Sequence, residues 1–179
     1  MHDPQAPTPP LPPPSIADGR EHKLDPRSIR VDQITGAIVS AFVCAGLLVA
    51  VIIAGFAGPF GLSGGLLLLG GWIVVSALLT GAIVAWPPVR YRHSAYEVTE
   101  QGIRIRRGVL WRSVTTVPRS RVQHTDVSQG PVERIYELAT LVMYTAGTQN
   151  SSVLLGGLAH ETALRIRDHL IAGGEDDAV

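Results

Sequence analysis

The chain has 179 residues, 15 Lys and Arg against 15 Asp and Glu, and six His. A formal net charge of zero excludes bulk electrostatic attraction to nucleic acid or to acidic surfaces as an organising force. A single cysteine, Cys44, excludes an intrachain disulfide and a cysteine-based metal cluster.

Residues 1–14 hold seven of the thirteen prolines. Proline removes the backbone donor and fixes φ, so this tail is expected to be disordered and locally polyproline II. Its Thr8–Pro14 stretch could dock on an aromatic groove, although a plain flexible tail suffices. Residues 15–32 form a juxtamembrane segment in which Arg20, Lys23, Arg27 and Arg30 alternate with Asp18, Glu21, Asp25 and Asp32.

From Gln33 to Val89 there is no charged residue and no His. About 20 apolar residues cross a bilayer, so this run contains two spans and a link. The spans are expected at about 34–57 and 66–86, joined by the turn-rich segment 58–65. The apolar run starts too late, and runs too long, for a cleaved signal peptide. Lys and Arg flank both outer ends, and the link has none. The expected location is therefore the inner (plasma) membrane, multi-pass, with both termini cytoplasmic. Trp86 and Tyr91 suit the interfacial belt, and Pro87-Pro88 is expected to end the second helix. Small residues recur every fourth position, at Ala37, Ala41 and Ala45 and at Ala77, Gly81 and Ala85. They are expected to pack within the hairpin, the alternative being a seam between copies. No ionisable group lies within the spans, which argues for an anchor and against a conduit.

Beyond Arg92 the pattern changes to short alternating runs. Strands are expected at Ala95–Val98, Ile103–Arg106, Leu110–Val117, Val122–Ser128, Ala139–Thr145 and Ser152–Leu155. Gly102 and Gly147 mark turns, and Pro131 opens a short helical turn over Val132–Glu137. A final helix is expected over Ala159–Ile171, with Ala159, Ala163, Ile166 and Leu170 on one face. Trp111, Val114, Leu141, Met143, Val153 and Leu154 read as core or sheet packing. Residues 173–179 form an acidic tail. The fold class expected from these elements is a two-helix transmembrane hairpin (33–89) followed by a small, strongly bent β-rich domain (93–172). The C-terminal helix should plug the sheet.

Three runs carry a resemblance. The first is Tyr96-Glu97-Val98-Thr99 with Gly102-Ile103 and Arg107-Gly108. The second is Val117-Pro118-Arg119-Ser120-Arg121-Val122-Gln123-His124. The third is Gln129-Gly130-Pro131-Val132-Glu133-Arg134-Ile135-Tyr136-Glu137-Leu138-Ala139-Thr140-Leu141, followed by Thr145-Ala146-Gly147. Together the sequence resembles the bacterial pleckstrin-homology-like membrane family (the YdbS-like group) over about 33–170. The resemblance implies a hairpin with a cytoplasmic PH-like barrel, and no enzyme. It also suggests an accessory role in membrane stress resistance. Where that family often has Phe-Gly before Leu-Ala, this chain has Tyr136-Glu137.

Chemistry-bearing patterns are sparse. The six His lack ligand spacing, and there is no phosphate loop, nucleophile elbow or cysteine nucleophile. No cofactor, no small-molecule substrate and no nucleic-acid partner is expected. Gln129, Gly130, Pro131, Arg134, Thr145 and Gly147 are read as structural, Arg134 holding its turn by bonds to carbonyls. The one asymmetry is nine Arg against four acids between Arg90 and Arg134. Arg104, Arg106, Arg107, Arg112, Arg119 and Arg121 are candidates for a lipid or partner surface. The plainer reading has them solvating the sheet and pairing with Glu97, Glu100 or Glu133. The function expected first is a membrane-anchored, non-enzymatic interaction module that binds a partner membrane protein or forms a homo-oligomer. The alternative is a reader of anionic lipid head groups.

Overall fold

The computed structural model describes residues 16–57, 61–146 and 152–172. The proline-rich tail, Gly147 and the acidic tail lie outside them. A short strand, β1 (Glu21–Lys23), precedes helix α1 (Arg27–Ala57), and α2 (Gly61–Arg92) returns beside it. Then follow β2 (Ala95–Thr99), β3 (Gly102–Arg107), β4 (Ser113–Pro118), a 3-10 turn (Arg119–Arg121) and β5 (Val122–Ser128). Helix α3 (Pro131–Ile135), β6 (Leu138–Thr145), β7 (Ser152–Ala159) and α4 (His160–Ile171) complete the chain.

Both long helices run further than the apolar pattern required. α1 begins seven residues before Ile34, where Asp25 accepts hydrogen bonds from the Arg27 backbone N–H (2.9 Å) and from its side chain. Such a bond satisfies a donor that the first turn cannot pair internally. The Arg27 guanidinium holds the Asp25 carboxyl below the usual carboxylate range.

α2 does not stop at Pro87-Pro88 but continues to Arg92. A proline inside a helix leaves the carbonyl four residues earlier without its donor. For Pro88 that carbonyl is Val84, and the Gln33 side-chain amide of α1 donates to it at 3.0 Å. The neighbouring helix thus supplies the missing bond at the membrane edge, where an open carbonyl is costly. Deeper in the hairpin, the Trp72 indole N–H donates to the Cys44 carbonyl at 3.0 Å.

The inward face of the hairpin also differs from expectation. Ala37, Ala41, Ala45, Ala77, Gly81 and Ala85 are all exposed. The residues turned inward are Gly36, Ser40 and Cys44 of α1 and Trp72, Leu79 and Ile83 of α2. A Cβ on Gly36 would lie 3.0 Å from the Ile83 side chain, so glycine permits this approach. On α1 the packing stripe keeps the expected four-residue spacing but is offset by one position, which brings Gln33 and Cys44 to the side where their bonds form. On α2 the inward residues Trp72, Leu79 and Ile83 are large and do not follow the small-residue stripe.

The β-rich part consists of two antiparallel sheets, β1-β2-β3-β4 and β5-β6-β7, and among the described residues no strand pairing closes them into a barrel. Their inner faces meet in one core: Val98, Ile103 and Ile105 from the first sheet, Leu141, Met143 and Leu155 from the second. Alternate positions along each strand point to the same side, so the Ile-Arg-Ile-Arg run buries both isoleucines and exposes both arginines. α4 contributes Ala163, Ile166 and Leu170, all buried. Trp111, Val114 and Leu154, read as packing residues, are instead exposed, Trp111 in the β3–β4 loop, Val114 at the start of β4 and Leu154 on the edge strand β7. At the start of β3, Gly102 (φ 147°) has Val117 O 2.2 Å from where a Cβ would stand, so the β2–β3 turn requires glycine.

Glu137 is the one non-glycine residue with positive φ (53°) among the described residues. It occupies the position where the resembling family often has glycine. Its backbone carbonyl accepts from His160 N at 2.9 Å, which fixes the α3–β6 connection. A side chain in the left-handed region costs roughly 1–2 kcal/mol. Glu137→Gly should therefore stabilise the domain by about 1 kcal/mol, read as a higher urea midpoint in micelles. An unchanged midpoint would mean that the strain is offset by the ion pair of Glu137 with Arg27.

Candidate functional site

The six candidate arginines do not gather on one surface. Arg104 and Arg106 project from the outer face of the first sheet, each answered by an acid. Arg104 meets Glu97 at 3.2 Å, and Arg106 meets Glu21 of β1. Arg119 sits in the 3-10 turn, where its backbone N–H donates to Gln101 O at 2.9 Å and its side chain reaches the Leu170 carbonyl of α4 at 3.4 Å. A cation there satisfies a carbonyl in the last turn of a helix. Arg112 and Arg121 are exposed. Arg107 is different: its guanidinium donates to the Leu154 carbonyl of β7 and ties the first sheet to the edge of the second.

The residues grouped as structural do hold a turn, but by another side chain. Glu133 accepts from Gly130 N at 2.7 Å and from the Thr140 hydroxyl at 2.9 Å. Pro131 opens α3 at a position that needs no donor. The Gln129 amide donates to Leu138 O at 2.6 Å. The Arg134 side chain is exposed, and it is the backbone of Arg134 that donates to Gly130 O.

Arg107 opens into a cleft where the hairpin stem meets the sheets. The stem is fastened there by two contacts. Asp25 N donates to Gly157 O at 2.8 Å and Lys23 Nζ to Arg92 O at 3.0 Å, while the Ser94 hydroxyl closes the end of α2 on Arg90 O at 2.9 Å. The cleft encloses about 510 Å³ and is walled by Ser28, Trp86, Arg90, Arg107, Glu133 and Gly156 among others. Arg90 is ion-paired with Asp32 across the two helices. Burial pushes the Arg107 guanidinium below the usual arginine range, and the positive charge of Arg90 nearby adds to the effect.

On its membrane side this cleft continues into an apolar groove of about 760 Å³. Thr35, Ile38, Ala82 and Ile83 line it below, and Pro131 and Val132 of α3 above. Val31, Asp32, Trp86, Arg90 and Glu133 border both parts. The sequence signal for this site is the opposite charge of Asp32 and Arg90 at the two outer span ends, where Arg90 by itself speaks only to orientation.

Two further features stand out. Leu110 and Trp111, at the tip of the β3–β4 loop, are 78% and 88% exposed. Among the described residues β4 pairs only with β3, and Ser113 to Thr116 are all exposed. Among the described residues no three His, Cys, Asp or Glu side chains are placed to hold a metal ion.

The sequence profile described as the bacterial PH domain matches residues 32–173. The chain is 34% identical over 163 residues to the UPF0699 transmembrane protein YdbS of Bacillus subtilis (strain 168), covering 89% of this chain and 97% of that protein. No solved structure matches the chain significantly.

Proposed function

The chain belongs to the bacterial PH domain family, and from that premise we propose a non-enzymatic, membrane-anchored interaction module that takes up a strand along the open edge of β4. It is a membrane-associated protein with a PH-like domain. The strand would come from a partner membrane protein or from a second copy of this chain. The spans sit in the inner (plasma) membrane with both termini cytoplasmic, a placement supported by the Lys and Arg flanking both outer ends.

The observation that carries the reading is the character of β4. Natural edge strands are usually blunted by charge, proline or a bulge. Ser113-Val114-Thr115-Thr116-Val117 has no charge, and its proline comes only at position 118. Such an edge offers unpaired backbone groups to a second extended chain, with β-branched side chains to pack beside it. The hairpin holds this edge near the bilayer and raises its local concentration toward other membrane proteins. A role accessory to membrane stress resistance rests on the family resemblance. Lipid recognition through the outer sheet face has less support, because Glu97 and Glu21 already neutralise Arg104 and Arg106.

The test places glutamates at Val114 and Thr116. Both are exposed, and in the β3–β4 register they stand opposite Arg106 and Arg104. The substitutions therefore charge the edge while adding favourable cross-strand pairs. In-cell cross-linking of the full-length chain should show the partner or dimer band fall by about tenfold, the equivalent of about 1.4 kcal/mol. The melting temperature should be unchanged. A band of undiminished strength would overturn the reading.

A further inference from the structure

We infer that the stem cleft is a binding site for one phospholipid of the cytoplasmic leaflet, its phosphodiester on Arg107 and Arg90 and one acyl chain in the groove beside Ile38, Ala82 and Ile83. The site differs from the β4 edge and does not depend on what docks there.

Three observations converge on it. The first is shape. A polar cleft and an apolar groove are continuous through Trp86 and Arg90, at the level where the spans leave the bilayer. A lipid headgroup and its chain meet at that same level. The second is charge. The Arg107 guanidinium gives one N–H to Leu154 O, and its other donors remain for a phosphate. Arg90 lines the same cleft and gives one N–H to Asp32, so its remaining guanidinium donors are available beside those of Arg107. The third is the pair of acids, Asp32 and Glu133, that border the cleft. They oppose a bare anion and favour a headgroup whose phosphate is followed by an amine. Asp32 engages Arg90 through one oxygen. Glu133 accepts one bond at each oxygen and retains capacity for an ammonium group. The ligand chemistry is therefore a zwitterionic aminophospholipid such as phosphatidylethanolamine.

The experiment uses full-length protein in nanodiscs of equal parts phosphatidylethanolamine and phosphatidylglycerol, released into the gas phase for native mass spectrometry. Wild type and Arg106→Gln, whose side chain lies on the outer sheet face, should each retain one phosphatidylethanolamine. Arg107→Gln should lower that retention by about tenfold, as expected for losing a charge-assisted bond to phosphate. Because Arg107 also ties β3 to β7, Ala82→Trp provides a second variant. It fills the groove from an exposed, lipid-facing position and leaves the sheets alone, and it should also release the lipid. Equal retention by all four proteins would overturn the site. Retention in Ala82→Trp alongside loss in Arg107→Gln would overturn the acyl groove. Preferential retention of phosphatidylglycerol would overturn the aminophospholipid assignment.

Discussion

Gly108→Ala is expected to destabilise the domain by roughly 2–4 kcal/mol, among the largest effects of any single substitution outside the core. Gly108 has φ 119°, where a side chain is strained in any surroundings. A Cβ there would stand 1.7 Å from the Trp111 carbonyl oxygen and 2.7 Å from its carbon. Those atoms are backbone, so no rotamer change relieves the clash, and the loop must be rebuilt. The consequences reach three features. The loop sets the register of β4 against β3, from Gly102 opposite Pro118 to Arg107 opposite Ser113. Gly108 and Val109 also form part of the cleft wall, and the loop carries the exposed Leu110 and Trp111. Urea titration of the full-length chain in micelles, followed by the β-sheet circular dichroism signal, should show a much lower midpoint. A midpoint within error of wild type would mean that the loop relaxes freely and does not fix β4.

Leu141→Ala should cost about 3 kcal/mol, within the 2–5 kcal/mol typical of large-to-small changes in a closed core. Leu141 is fully buried near the middle of β6, opposite Val127 on β5 and Leu155 on β7. Strands flank it on both sides, so the backbone cannot collapse into the cavity that the substitution leaves. For a unit of this size the loss is a large fraction of the total stability, commonly 5–15 kcal/mol. The same titration should show a lower midpoint with an unchanged slope. The two helices should retain their helical signal, because the detergent and not this core supports them. A loss below about 1 kcal/mol would show that the two sheets are not packed as one core.

Several features of the fold were legible because their signal is local. Fifty-seven residues without a charge or a His can only be accommodated in hydrocarbon or a very large core. The Ile103-Arg104-Ile105-Arg106 alternation states which side of β3 is buried. Ala163, Ile166 and Leu170 mark the buried face of α4 by their helical spacing. Tyr136-Glu137 in place of Phe-Gly left the turn intact, since Glu137 itself takes the left-handed conformation.

Other features depended on contacts between distant residues. β1 is three residues long, and no pattern within them marks a strand. It exists because Glu21 to Lys23 pair with Ala95 to Glu97, more than seventy positions away. The persistence of α2 through Pro87-Pro88 depends on Gln33, which is far in sequence but adjacent in space. On α1 the face turned inward is Gly36, Ser40 and Cys44 and not the alanines one position on, and it is the face from which Gln33 and the Cys44 carbonyl bond to α2. The arginines show the same division. Their number was evident, but whether each faced an acid, a carbonyl or a cleft was not.

By itself, the sequence determined that the chain forms two helices long and apolar enough to cross a membrane and then folds into short alternating strands and one amphipathic helix. Those properties follow from runs and periods within single segments, where hydrophobic burial acts on neighbouring residues. Only the tertiary structure decided that the sheets stay open at β4, and that Arg107 and Arg90 come together where the stem meets the domain. An edge and a cleft are defined by which segments lie side by side, and that is set by long-range packing that no single segment encodes.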